Sequence, residues 1–317
     1  MPETPEQLRT LRRDFSRGGF FAEAHSSYRL LFQFLRLSPS YELARRYRLT
    51  GGKLAKEDQQ RLPKDFKQVL AVYDDLGDVQ RTFWRPWWLD RGIRCFGSPG
   101  DMPETRLLFK AKSGDAVTDD KLYWLNHYFK TQWKEENQPE VMVLSMPLNL
   151  TRQRALKEVK RLLDQHIVPK LVPAKPKYDL VTKDMHKQNI IDAMTVLMVR
   201  AARPGHKLWQ VGVEAKISKT YSAMFDVKTT KRTAMNSDEL RTLEMMTSRK
   251  YRLGKWLAEN AARGLFPCQT EPAHAVTFDP REFHDIITET VKWERREKAR
   301  MLAEAEVMRR RRASAAQ

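Results

Sequence analysis

The sequence predicts a mainly α-helical chain with minor β structure, arranged as two helical domains joined by a Pro/Lys-rich connector. Three observations lead there. Apolar residues recur at helical spacing through most of the chain. Helix-opening signatures stand at Thr4-Pro5, Ser38-Pro39, Asn236-Ser237 and Asp279-Pro280. Residues 168–177 hold three prolines and three lysines, and proline lacks the donor that a helix or inner strand needs. That connector divides the chain into residues 1–167, with a Trp-rich core cluster, and residues 178–317, a basic helical part with an Arg-rich tail.

The 317 residues are enough to bury a sizeable core, and 41% hydrophobic with 31% charged residues is a globular composition. The charge is one-sided. Fifty-eight Lys and Arg against 40 Asp and Glu give +18, with an isoelectric point near 9.9. A field of that sign concentrates polyanions, because each cation set on a phosphate releases condensed counterions. Nucleic acid, DNA or RNA, is therefore the expected partner class, with other protein subunits as a further class. The plainer reading is a basic surface without a specific partner.

Two cysteines far apart, Cys95 and Cys268, argue for a reducing compartment and against a disulfide framework or structural zinc. The polar, acidic start is no secretory signal. No apolar run reaches membrane-span length, so no membrane partner is expected and the expected place is the cytoplasm. None of the seven histidines pairs with another at metal-ligand spacing, and no phosphate loop or nucleophile elbow is present. No cofactor is expected, save Mg²⁺ under the nuclease reading below.

In chain order, Thr4, Pro5 and Gln7 open a helix that should stop at Gly18-Gly19. A second helix runs over residues 22–37. Ser38 caps a third, with Pro39 at its first position, ending near Gly51-Gly52. Residues 64–76 form a fourth, and Gly77 stands where a left-handed residue is wanted. Phe83, Trp84, Trp87 and Trp88 then make the densest aromatic cluster. Such rings stack bases in some proteins, but more often fill a core.

The segments S-P-S-Y-E-L-A-R-R (38–46), Y-D-D-L-G-D-V (73–79) and W-W-L-D-R-G-I-R-C-F-G (87–97) resemble a set of uncharacterised proteobacterial proteins. The resemblance covers at most the first hundred residues. It implies a bacterial or mobile-element origin, antiviral defence being one such setting, and no catalytic chemistry.

Leu122, Trp124, Leu125, Tyr128, Phe129 and Trp133 predict another amphipathic helix. Residues 140–146, E-V-M-V-L-S-M, are the clearest strand of this half. Thr151 caps a helix with Ala155, Val159, Leu162 and Leu163 on one face and five cations around it. Beyond the connector, residues 183–202 form a helix with an apolar stripe.

Residues 207–255 hold eleven Lys or Arg against five Asp or Glu, with Trp209, Tyr221, Phe225 and Tyr251 interleaved. Their first half reads in two ways. As a helix-turn-helix, residues 208–215 are the first helix, residues 216–218 the turn and residues 219–225 the recognition helix. Gly212 then allows a close helix approach, and Phe225 anchors the second helix inside. Lys219, Thr220 and Ser222 face the major groove, and Lys228, Lys231 and Arg232 face phosphates. Lys216 stands where glycine is usual, and Ser222 where an apolar residue is usual. As a nuclease, residues 208–216 are instead a strand, with Glu214 and Lys216 on one side for Mg²⁺ and the attacking water. Glu214-Ala215-Lys216 resembles half of the PD-(D/E)xK pattern. Its other half is missing, the nearest upstream acid being Asp192 inside a helical pattern.

Ser237 opens a long helix closed by Gly264, with Arg241, Ser248, Arg249, Arg252 and Lys255 on one face. The last helix, from Asp279-Pro280, loses its apolar stripe after Trp293 and ends in Arg309, Arg310, Arg311 and Arg312. The expected function is non-catalytic nucleic-acid binding, as a regulator or structural subunit. The Mg²⁺-dependent nuclease and a subunit of a ribonucleoprotein or protein assembly stay open beside it.

Overall fold

The computed structural model describes residues 15–23, 25–100, 104–116, 118–166, 176–181 and 186–315, with side chains up to Arg310. About 62% of the described residues are helix and 3% strand, a mainly α fold with minor β. The helix expected at Thr4 lies outside these residues, as does most of the 168–177 connector. No helix among them is long and apolar enough to cross a membrane.

Contacts divide the chain into two units, residues 1–24 with 96–177, and residues 25–95 with 178–317. This grouping cuts across the division expected at the connector, because residues 25–95 pack on the helices that follow it.

The first unit carries a three-stranded antiparallel sheet: β1 (Ser16–Arg17), β2 (Phe20–Phe21) and β3 (Ser98–Pro99). Gly18 and Gly19, expected to end a helix, turn β1 into β2 at φ of 62° and 75°. The 140–146 strand does not form. Those residues are exposed and make no ladder among the described residues, since a strand needs a neighbouring edge as well as an apolar sequence.

The second unit begins with α1 (Ser27–Arg36), α2 (Pro39–Leu49), α3 (Lys56–Gln60) and α4 (Phe66–Leu76). The Ser38 cap forms as the sequence indicates, its hydroxyl accepting the Tyr41 N–H at 3.2 Å. At the end of α4, Gly77 has φ 73° but an extended ψ of −167°, so the chain leaves the helix straight instead of coiling into a left-handed cap. The Tyr41 hydroxyl donates to the Gly77 carbonyl at 2.7 Å, and the Trp87 indole to the Leu76 carbonyl at 2.6 Å. Those bonds fix the aromatic run, α5 (Trp84–Trp87), a π turn (Trp88–Gly92) and α6 (Ile93–Phe96). Trp87 and Trp88 are buried, with Trp88 4.7 Å from Tyr28 and Trp87 5.1 Å from Phe32 between ring centres. Trp87 and Trp88 are core, and Trp84 is half-buried beside them.

In the first unit follow α7 (Asp119–Lys130), α8 (Gln132–Glu135) and α9 (Arg152–His166). The second unit resumes with α10 (Lys187–Ala202), α11 (Leu208–Glu214), α12 (Tyr221–Met224), α13 (Ser237–Ala261) and α14 (Pro280–Ala315). α13 is the spine of this unit. α10, α11, α1 and α2 all pack along it. Leu240, Leu243, Leu257, Ala258 and Ala261 are fully buried along it. Where it crosses α10, a β-carbon on Gly254 would stand 2.8 Å from the Ala193 carbonyl oxygen.

Near its end lies a buried polar knot. The Glu259 carboxylate accepts from Ser38 Oγ at 2.8 Å, Ser40 N at 3.0 Å, Ser40 Oγ at 2.5 Å and Val276 N at 3.0 Å. Arg263 donates to it at 3.1 Å and to Asp65 at 2.7 Å. The start of α14 is held by Thr290 Oγ1 donating to Gln80 Oε1 at 2.9 Å, and by Arg36 to Glu294 at 2.8 Å.

Candidate nucleic-acid interface

Residues 208–214, the disputed stretch, are helix, with Trp209, Val211 and Gly212 buried. The strand that the nuclease reading requires is absent here, because Val211 and Gly212 face α13 and their tertiary packing overrides valine's strand preference. A β-carbon on Gly212 would stand 3.0 Å from Leu243 and closer still to the Thr247 hydroxyl, so glycine permits this approach.

α11 ends in a Schellman closure. The Ile217 N–H donates to the Gly212 carbonyl at 3.1 Å and the Lys216 N–H to the Val213 carbonyl at 3.1 Å. Lys216 takes φ 51°, the left-handed residue that such a closure needs. Its side chain is exposed beyond the helix.

The Ser218 hydroxyl accepts the Tyr221 N–H at 3.2 Å, and the Ser222 hydroxyl donates to the Gly212 carbonyl at 2.9 Å. Ser222 therefore knits the turn to α11 and does not face outward with Lys219 and Thr220, which are exposed. The recognition helix expected over residues 219–225 is a single turn, α12, and Phe225 is already extended at φ −125°, ψ 144°. Asp226 stops it. Its Oδ1 accepts the N–H groups of Lys228 at 2.8 Å and Thr229 at 2.9 Å. Those donors, Thr229 first, hold its carboxyl below the usual carboxylate range.

This turn displays Lys228 and leads to exposed Lys231 and Arg232. Arg232 pairs with Glu244 at 3.1 Å. On α13, Arg241, Arg249 and Arg252 are exposed and Lys255 half-buried, opposite the face that packs inward. The Arg252 guanidinium lies 5.4 Å from the Trp256 ring centre, and the Lys255 ammonium 5.0 Å from that of Tyr251. Sequence reasoning did not pick out these ring–cation pairs, although their four-residue spacing is a readable signal. Burial raises the Tyr251 phenol.

The nuclease residues do not assemble. Glu214 ends a helix, its Oε1 3.7 Å from Arg203 Nε and from His206 Nδ1, and Lys216 lies past the helix. The Asp192 carboxylate is engaged by Lys250 at 2.8 Å and by Gln188 at 2.8 Å. Among the described residues no group of three or more His, Cys, Asp or Glu could hold a metal ion. Arg309 and Arg310 are exposed on α14, with Arg310 paired to Glu306 at 3.0 Å. The side chains of Arg311 and Arg312 lie outside the described residues.

The cations sort into two kinds. Arg45 pairs with Glu42 and Asp78, Arg46 with Glu42, Asp58 and Glu282, Arg61 with Glu282, and Arg263 with Asp65 and Glu259. Lys216, Lys219, Lys228, Lys231, Arg241 and Arg249 make no ion pair among the described residues. The first group is neutralised inside the fold, whereas the second carries charge outward. No protein-family model, curated protein or solved structure matches this chain.

Proposed function

We propose that the chain is a non-catalytic nucleic-acid-binding protein. The observation that carries this reading is the set of unpaired cations between Lys216 and Lys255, displayed on the α11–α12 turn, the Asp226 turn and the outer stripe of α13. Lys and Arg without internal carboxylates are the groups that phosphates attract, and their contacts are sequence-independent. A one-turn α12 offers little surface for reading base edges in a groove, which favours backbone contact over helix-turn-helix readout. Lys216, Lys219, Thr220, Lys228, Lys231, Arg249, Arg252 and Lys255 form the main contact set. Arg232, shared with Glu244, and the arginines from 309 to 312 add to it.

A role as regulator or structural subunit in a bacterial defence or mobile-element system fits such binding. Purifying the chain and sequencing the nucleic acid that it retains, with RNase and DNase arms, tests the proposal and identifies the polymer. Retained polymer lost on charge reversal at Lys231 and Arg249 supports it. Protein that purifies free of nucleic acid and gains none on reconstitution at low salt opposes it.

A further inference from the structure

Thirteen of the twenty-six exposed large apolar side chains of the described chain fall between Leu107 and Leu163. Leu107 and Leu148 are each 70% exposed, Leu156 61% and Val143 60%. Across the described residues of 104–166 only Tyr128 and Glu136 are buried. α9 is amphipathic, with Ala155, Val159, Leu162 and Leu163 along one face, yet buries none of its residues. An isolated helix of that length is marginal in water. Nor is this the composition of a disordered segment, which lacks large apolar residues. Summed over these segments, the side chains offer on the order of 1000 Å² of apolar surface. A standard interface takes about 800 Å² per partner.

We propose that these exposed segments dock against the same segments of a second copy of the chain. Charge excludes the partner of the basic surface, because residues 104–166 hold eleven Lys or Arg against nine Asp or Glu, and so contribute little of the +18. It also favours self-association. Asp115 is held by Lys121 at 3.2 Å, but Asp119 and Asp120 in the first turn of α7 make no ion pair among the described residues, while α9 carries five bases and two acids. Two copies can set one sign against the other in both directions, as a two-fold interface requires.

The 140–146 run fits the same scheme. It makes no backbone hydrogen bond among the described residues, Pro139 and Pro147 bracket it, and residues 141–146 hold no charge. Antiparallel pairing of two copies about Val143 sets Glu140 opposite Met146, so no like charges meet, and each copy supplies the edge that the other lacks.

The test is the mass of the full-length, nucleic-acid-free chain by sedimentation from about 100 μM to about 1 μM, a range that spans ordinary dimer affinities. The expected result is twice the 37.3 kDa of one chain at the upper end. Val143→Lys and Leu156→Glu should each weaken the dimer at least about tenfold, or 1.4 kcal/mol. Both sites are exposed in the single chain, so circular dichroism should lose no more helix than α9 itself contributes. Charge reversal at Lys231 and Arg232 should leave the dimer intact. A chain that is monomeric throughout overturns the proposal, as does a dimer that survives both apolar-face variants.

Discussion

Gly212 of α11 lies against Thr247 of α13 with no room between them for a β-carbon. Thr247 cannot easily turn away, because its hydroxyl donates to the Leu243 carbonyl at 2.7 Å. Gly212→Ala is expected to cost about 1–3 kcal/mol by overpacking. It should also push out the turn that displays Lys216 and Lys219. Denaturant unfolding checks the first effect, and binding of the still-folded variant checks the second. Wild-type stability in the alanine variant would contradict the close approach.

Lys216 holds a left-handed backbone without being glycine. Replacing it with glycine relieves strain of about 1 kcal/mol while removing one exposed cation. Lys216→Gly should therefore raise the unfolding midpoint and lower nucleic-acid affinity at the same time. Few substitutions move those two readouts in opposite directions. Lys216→Ala, which keeps the strain and loses the charge, should lower affinity alone.

Glu259 gathers two serine hydroxyls, two backbone N–H groups and Arg263 in the core. Glu259→Ala strands those donors and is expected to cost roughly 3–5 kcal/mol. Glu259→Gln keeps an acceptor oxygen and should fall between alanine and wild type. Thermal melts of the three proteins give the order.

Three phenols at the end of α4 set the alkaline limit of the fold. Burial, then the nearby Tyr73, pushes Tyr41 well up. Burial, then Asp78, pushes Tyr73 up to about 12. Burial and its bond to Asp75 raise Tyr178. Each holds its proton more tightly folded than unfolded, so the stability they add is fully present below about pH 10. That stability is lost as pH rises through the folded values. Tyrosinate absorbance from these three should appear together with the loss of helix above about pH 10. Their reversible ionisation at ordinary tyrosine pH in an intact fold would contradict the packing.

Local signals in the sequence carried the elements whose cause is local. Ser38-Pro39 marks the start of α2 because a hydroxyl and a fixed φ act within one turn. α13 also opens where the sequence places it, at Ser237, but Asn236 stands at the cap position without a side-chain cap bond, and the favourable local feature is the acidic first turn of Asp238 and Glu239. What depends on distant partners was not legible. Residues 140–146 read as a strand, but a strand exists only beside another edge. V-G-V-E reads as helix or as strand until α13 supplies the surface against which Gly212 packs. The interface is legible as a sign of charge and not as a geometry. The Glu42 pairs of Arg45 and Arg46 follow from helical spacing, but nothing in the local sequence says that Asp58, Asp78 and Glu282 also meet these arginines while Lys219 and Lys231 stay unpaired.

The most direct test of the central claim is equilibrium binding of the nucleic-acid-free chain to labelled duplex and single strands over a salt series. Wild type is compared with a folded quadruple variant, Lys219→Glu, Lys231→Glu, Arg249→Glu and Arg252→Glu. The expected wild-type plot of log affinity against log salt is steep and linear. In the variant the slope should be shallower by roughly three to four, close to one unit for each lost phosphate contact. Mg²⁺ or EDTA should change neither curve beyond ionic strength, and Glu214→Ala should bind as wild type. Equal slopes in wild type and the quadruple variant, or no binding to either polymer at low salt, would contradict it.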